Sequence, residues 1–505
     1  MRYLTTAMVV GSISAALAGP VTLAAQSKAR GTPPSLGARG PEKPGWIALF
    51  DGKTLDGWKP ADHPEAWTVK DGTLSCDGDR SHLFYVGRPD APGPAKTAEW
   101  SDFEAEVEVF THTGANSGVY FHTAWQDTGW PAKGFEMQVN NRQPVFAGDS
   151  GDPYVENKKT GSLYGIRNAY RTMAADNTWS TLALRVQGPR VVIHVNGVLV
   201  VDYLEPEGDV PGLAAPLQKI GHGTFALQCH DRRSRVQYRR IAVHPLPPGP
   251  PLSRAPSPDP ASAKRYRLAR DNFPLVDLRA IDAAHAAGLE TAQAAARAGT
   301  GLFVGVTAAA GKAGLVRTDA GVDALVRRFG GKPLFLGLRA GEPGWQKTIS
   351  PKAFAKIDYV VLDGEEMLAR VPRAQWGKED VLVQALVDAT VAAIEHEPID
   401  VYGAPLFLAG GLATHRDALV TDAYQQRIID AAVTHGVAFE INGRLRLPGE
   451  AFVRKAKAAG AKFTLGECDL ATPAGAWCFD LREKVGLGWK DMFEPGHAPP
   501  RGARE

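Results

Sequence analysis

Three stretches of the chain, GANSGVYFH (114–122), FEMQVNN (135–141) and FALQCHD (225–231), alternate apolar side chains with ones that hold or move protons. Read as β-strands, each sends successive side chains to opposite faces. Asn116, Tyr120 and His122 then oppose Val119 and Phe121; Glu136, Gln138 and Asn140 oppose Met137 and Val139; Gln228 and His230 oppose Leu227 and Cys229. A merely wetted sheet face usually carries Lys, Glu and Thr. This one carries amides, imidazoles, a phenol and a single carboxylate, groups that mostly both donate and accept hydrogen bonds. Such a lining suits a polyhydroxylated ligand such as a sugar, with Glu136 and the two histidines as the groups able to transfer protons. The plainer alternative for any one strand is a solvated face.

The elements that must position these residues are short strands. From Trp46 to Leu246 apolar alternation recurs between turn residues, most cleanly in FEAEVEVF (103–110) and STLALRVQGPRVVIHVNGVLVVDY (180–203), where Asn196-Gly197 marks a tight hairpin. No amphipathic helix interrupts the region, so it is expected to be an all-β, two-sheet jelly-roll sandwich over 45–246. Trp100, Trp125, Trp130 and Trp179 are available as apolar platforms for a sugar ring, or as core residues. Residues 247–270, opening with LPPGPPLSRAPSPDPAS, are expected to be a Pro-rich linker. Beyond it, helical periods such as VLVQALVDATVAAIEHE alternate with short apolar runs such as DYVVLD and VAFEIN, the pattern of a parallel α/β layout.

WIALFDGKTLDGW (46–58), GANSGVYF (114–121), GFEMQV (134–139), TGSLYG (160–165), the Trp179 segment and FALQCHD follow in order the pattern of the domain once called DUF1080, now the 3-keto-disaccharide (3-keto-glycoside) hydrolase domain, which they resemble. The resemblance covers about 200 residues and implies a concanavalin-like jelly roll. It also implies a chemistry. A ketone at C3 of a sugar acidifies the proton on C2; its removal gives an enolate that expels the C1 substituent, and water adds back across C1–C2. A base, an electrophile for the enolate oxygen and an acid for the leaving oxygen are required, and one divalent metal can serve as the electrophile. On this reading Glu136 is the candidate base, His230 and His122 are candidates for acid–base work, and Glu136 with His230 form a tentative metal pair. Asn116, Tyr120, Gln138, Asn140, Gln228, Tyr164 on its Gly-flanked loop and Trp125 are expected to hold the sugar. Asp231 either orients His230 or starts a turn. The paired carboxylates of ordinary glycosidases are not evident on these faces, although Asp149, Asp152 or Glu156 on a nearby loop could supply a second one. The alternative function is a carbohydrate-binding jelly roll without turnover.

Residues 271–497 resemble the polymerase-and-histidinol-phosphatase (PHP) family, chiefly through GVAFEINGRLRLPGEAFVRKAKAAGAKFTLG (436–466) and the terminal VGLGWKDMF. A distorted β/α barrel is implied. The family's metal chemistry does not carry over. Asp277 is kept from its opening Asp-x-His-x-His, but Arg279 and Ile281 stand at the histidine positions, and GECDLA replaces the closing Asp-x-His. Guanidinium offers no lone pair to a metal. No cofactor is expected here, and phosphoesterase activity is disfavoured. Asp277, Arg279, Asp363, Asn442 and Arg444 could line a metal-free pocket for an anion or sugar, or the barrel could serve as a scaffold.

The remaining features set the context. With 57 Lys and Arg against 55 Asp and Glu, no electrostatic case exists for nucleic acid. Arg2, the apolar run AMVVGSISAALA and small residues after it read as a signal peptide over 1–25, followed by a flexible lead-in over 26–44. Export to the periplasm or beyond, without membrane insertion after signal removal, is the expectation. Export permits disulfides; a Cys468–Cys478 bridge and buried free thiols are both open.

Overall fold

The alternation of FEAEVEVF becomes the strand Phe103–Thr111. Phe103, Ala105, Val107 and Val109 point inward, while Glu104, Glu106 and Glu108 point outward to Arg185, Arg240 and Arg239. This strand lies in an eight-stranded antiparallel sheet ordered Val198–Leu204, Arg190–Val195, Trp179–Gln187, Phe103–Thr111, Val236–Pro245, Thr73–Cys76 and Trp67–Lys70, with Ile47–Ala48 also beside Val236–Pro245. The Asn196-Gly197 turn is present; both residues have positive φ, 51° and 79°, as a right-twisting two-residue hairpin demands. The computed structural model describes residues 44–141, 146–147, 153–210, 217–248, 253–312, 314–468 and 472–496. The expected leader, nearly all of the lead-in, Asp149 and Asp152 lie outside the described residues.

A second antiparallel sheet has the order Trp58–Asp62, Ser81–Tyr85, Thr224–Cys229, Asn116–Thr123 and Phe135–Asn140. Leu83, Val119, Phe121, Met137 and Leu227 from this sheet and Val107, Val109, Leu182, Leu184 and Ile193 from the other belong to one buried cluster. That is the sandwich core. The sheet's central strands, unlike those of the larger sheet, are buried on both faces. The polar face is therefore covered rather than solvated.

Seven parallel strands, Val276–Asp282, Phe303–Ala309, Phe335–Arg339, Tyr359–Asp363, Val401–Gly403, Ala438–Asn442 and Phe463–Gly466, close into a barrel, the first pairing the last through Asp277 and Leu465. Helices such as Glu379–His396 and Asp422–His435 alternate with them. Sandwich and barrel belong to one compact unit. The barrel meets the sandwich at the N-terminal ends of its strands: Arg171 pairs with Asp358 at 3.3 Å, and the Tyr170 ring sits 5.9 Å from that of Phe303.

The expected linker is more structured than its composition suggests. Its second half is the helix Pro260–Arg270, capped by the Asp259 side chain and burying Leu268 and Ala269. Asp259-Pro260 is a helix start signal, a capping acid followed by proline at the first helical position. In the first half Ala255 pairs with Pro206, and Arg254 pairs with Glu205. Cys468 and Cys478 form a disulfide; Cys76 and Cys229 are buried free thiols.

Candidate functional site

Strand register sets the floor of the site. Glu136 pairs with Tyr120, Tyr120 with Ala226, and Ala226 with Phe84; in the next row Gln138 pairs with Gly118 and Gln228 with His82; beyond that Asn140 pairs with Asn116. Gly118 has a specific use: a Cβ there would lie 2.2 Å from Glu136 Oε1, so the missing side chain lets the carboxylate fold across its neighbour strand. Tyr120 Oη donates to Glu136 Oε2 at 2.9 Å, and Gln228 Nε2 donates to Tyr120 Oη at 3.0 Å and to Glu136 Oε1 at 3.3 Å. Gln138 donates to Asn116 at 2.9 Å, and Asn140 donates to the carbonyls of Glu156 and Lys158. The side-chain oxygens of Gln138, Asn140 and Gln228 and both ring nitrogens of His82 are buried without a hydrogen-bond partner. Buried polar atoms normally have one, so this face holds more hydrogen-bonding capacity than its own side chains use.

Two walls rise from this floor. One is the loop after Asn116–Thr123, tied to the edge strand by Asp62 and carrying Trp125 and Trp130, both well exposed. The Lys59 ammonium covers the Trp125 ring at 3.5 Å, whereas Trp130 packs against His82 and His230. The other wall is the segment 155–166, which runs along the strand Phe135–Asn140 and bonds Tyr164 N to Glu136 O at 2.9 Å. Tyr164 Oη donates to Glu156 Oε2 at 3.0 Å, and Lys158 Nζ donates to Glu156 Oε1 at 3.1 Å.

Burial pushes the Glu136 carboxyl up to about 8; the nearby Glu156 charge adds to this, while Tyr120, Lys158 and Gln228 oppose it. A carboxyl with that proton affinity exchanges its proton near neutral pH. Burial also keeps the Tyr120 phenol well above its ordinary range, so it remains a donor.

The structure thus brings together Glu136, Tyr120, Gln228, Asn116, Gln138, Asn140 and Tyr164. His122 is not among them. Its φ of 52° turns the ring off the polar face and against Phe103 and Phe121. There Nε2 donates to Ser101 O at 2.8 Å and Nδ1 accepts from Gly221 N at 3.3 Å, and burial lowers its pKa to about 4. The expected acid–base role gives way to a framework role. His230 lies four residues along its strand from the row of Glu136, about 13 Å by strand rise. Its Nδ1 donates to Asp231 Oδ2 at 2.7 Å, so Asp231 does orient it. Glu136 and His230 therefore present no shared donor set for the expected metal, and no cluster of three or more His, Cys, Asp or Glu suited to a metal occurs among the described residues. Trp100 is core, and Trp179 lies on the other sheet under Arg239. Glu156, expected as a candidate second carboxylate, and Trp130, expected as a candidate platform, join the site, together with Lys158 and His82, which no sequence pattern singles out.

The residues named for the barrel do converge, but not into an anion pocket. Arg279 donates to Asp363 at 2.8 and 3.3 Å and to Glu440 at 3.1 Å; Arg444 is bound by Glu467 and Glu365. Asn442 donates to Glu467 at 3.0 Å. Asp277 accepts from the backbone of Arg279 and Cys468, and burial pushes its carboxyl up to about 6. Each guanidinium is already neutralised by carboxylates. A separate cavity of about 740 Å³ lies between sandwich and barrel, lined by Asn141, Arg171, Asp176, Phe335 and Asp358 among others. Within it Arg171 pairs with Asp358 and Asp176 accepts from Asn141, and Glu136 is not part of the lining.

Residues 45–244 match the family model described as a 3-keto-alpha-glucoside-1,2-lyase-like domain. A curated relative, the 3-keto-disaccharide hydrolase of Bacteroides thetaiotaomicron, is 31% identical over 80 residues, which are 15% of this chain and 27% of that protein. The match thus spans about a quarter of that relative's length. Among solved structures, a putative glycosyl hydrolase from Parabacteroides distasonis aligns at 20% identity over 40% of this chain and 94% of its own, with a TM-score of 0.33. The carbohydrate binding module CBM66 from Bacillus subtilis aligns at 15% identity over 37% and 96%, with a TM-score of 0.24.

Proposed function

We propose that the cleft over the five-stranded sheet binds a 3-keto-glycoside and cleaves it by C2 deprotonation, C1 elimination and hydration. The observation that carries this reading is Glu136: the one carboxyl on a face of amides, half-buried among them and set to exchange protons near neutrality. Glu136 takes the C2 proton while the electron pair moves to the C3 oxygen. The enolate then re-forms the ketone, the C1–O bond breaks, and the leaving oxygen takes the proton from Glu136. Tyr120 and Gln228, already donating to Glu136, are the neutral donors nearest the developing enolate. In the second half water adds at C1 and a proton returns to C2. His230, held by Asp231 and packed on Trp130, suits the far end of a two-ring substrate.

The test is incubation with a 3-keto-glucoside and with its ordinary glucoside. Turnover of the keto sugar alone, abolished in Glu136→Gln, is the expected result; cleavage of the ordinary sugar alone would overturn the mechanism. Saturable binding without turnover would favour the second reading, a carbohydrate-binding module, which the amide-rich face and exposed Trp125 and Trp130 also suit. We further propose export, which the Cys468–Cys478 disulfide supports. No helix among the described residues is long and apolar enough to cross a membrane. The barrel is proposed to be a PHP-related scaffold that has given up its metals.

A further inference from the structure

The segment 155–166 beside Glu136 is not held by the sandwich alone. Asn272, between the helix Pro260–Arg270 and the first barrel strand, inserts its side chain into the segment 155–158. Its Nδ2 donates to Val155 O at 2.8 Å, and its Oδ1 accepts from Asn157 N at 3.2 Å and from Lys158 Nζ at 3.1 Å. Its own carbonyl accepts from Asn157 Nδ2 at 3.1 Å. The backbone needed for this is left-handed, φ 60°, a conformation asparagine tolerates better than most residues. Two residues earlier Arg270 packs on Gly165, beside Tyr164: a Cβ on that glycine would lie 3.1 Å from Arg270 Cδ.

Lys158 is 1% exposed, and an ammonium so deeply buried needs acceptors around it. Glu156 Oε1 and Asn272 Oδ1 are two of them, and the Tyr164 ring lies 4.4 Å away. Lys158 and Glu156 are the two opposite charges felt by Glu136. Burial sets the largest part of the Glu136 shift; the balance between these two charges adjusts it, and Asn272 holds Lys158 in place.

We propose that Asn272 is a positioning residue of the proposed sugar site, through which the segment leading into the barrel holds the Lys158 ammonium against Glu156 and so biases the ionisation of Glu136. The inference rests on the cleft being the site proposed above. Asn272 lies outside the 45–244 match, so the sandwich alone would lack this control.

The test follows Glu136 ionisation in the full chain in two ways: the pH midpoint of keto-glucoside turnover, and the carboxyl infrared band that Glu136→Gln removes. Asn272→Leu, which deletes the acceptor, and Asn272→Asp, which adds a negative charge, should each raise the midpoint by about half a pH unit or more, with turnover restored at high pH. Tyr170→Phe is the control: it removes another bond across the same junction, from Tyr170 Oη to Phe273 O at 3.2 Å, without touching Lys158. Its midpoint should stay at the parental value. An unmoved midpoint in folded Asn272→Asp, or an equal shift in Tyr170→Phe, overturns the proposal. If the infrared midpoint shifts but no keto sugar is turned over, the positioning role stands and the enzymatic reading falls.

Discussion

Replacing Glu136 by glutamine should make the protein more stable at alkaline pH and leave that gain absent in acid. The folded chain holds the Glu136 proton up to about pH 8, against an ordinary carboxyl value of 4.5. Because the folded pKa is raised, its contribution to stability is fully present below pH 4.5 and is lost as pH climbs through 8. The difference of about 3.5 units, at about 1.36 kcal/mol per unit, sets a ceiling of about 5 kcal/mol. Relaxation and water entry on ionisation reduce this, so a penalty of about 2–3 kcal/mol is expected once Glu136 is charged. The substituted amide cannot ionise and escapes that penalty. Urea unfolding of the two proteins at intervals from about pH 4.5 to 9.5 measures the difference directly, since other titrating groups are common to both and cancel. The gap should be smallest near about pH 4.5, widen steadily from there to about 8, and level off above about 9. A gap that stays flat, or that narrows as pH rises, would refute the claim that burial dominates the Glu136 site.

His122→Ala should cost about 2–3 kcal/mol of stability through two lost buried hydrogen bonds and a cavity, with KM for the keto sugar unchanged in steady-state assays. Arg279→Met should destabilise the barrel by about 3–5 kcal/mol at about pH 8, because Asp363 and Glu440 lose their counter-charge. Burial pushes Glu440 up to about 7, so that loss should shrink as the medium is acidified and Glu440 takes a proton, a trend urea unfolding will follow. Trp130→Ala should weaken sugar binding about tenfold by calorimetry, for a stacking contribution of about 1.4 kcal/mol, and more than Trp125→Ala, because Lys59 already covers the Trp125 ring.

What the sequence disclosed follows from period and turn chemistry. Alternation in Phe103–Thr111 and the polar rows of Asn116–Thr123 and Phe135–Asn140 were legible because strand register fixes which side chains share a face. Asn196-Gly197 was legible because few residue pairs accept two positive φ angles. His122 was misplaced for the complementary reason. One left-handed residue breaks the two-residue period, and nothing in YFHT announces it. The helix Pro260–Arg270 was hidden by the Pro and Ser content around it. Glu156, Lys158 and Asn272 meet only in three dimensions: two lie in a loop with no period, and the third is more than a hundred positions away.

The two ends of the barrel bear on why the chemistry is proposed for the sandwich. At the mouth, formed by the C-terminal ends of its strands, a parallel barrel ordinarily presents its reactive groups. Here that end is self-neutralised: Arg279 lies among Asp363, Glu440 and Glu365, and Arg444 binds Glu467 and Glu365. A ligand reaching Arg279 would have to break its buried pairs with Asp363 and Glu440, and leaving one partner without the other costs several kcal/mol. At the opposite end, Asn272, Phe273 and Asp358 contact the sandwich near the segment that walls the Glu136 cleft. That segment's buried Lys158 draws one of its acceptors from outside the sandwich. A barrel whose mouth is occupied by its own ion pairs and whose base is engaged is what is expected of a support for the proposed site, and the Asn272 contact is where that support comes nearest the carboxyl proposed to react.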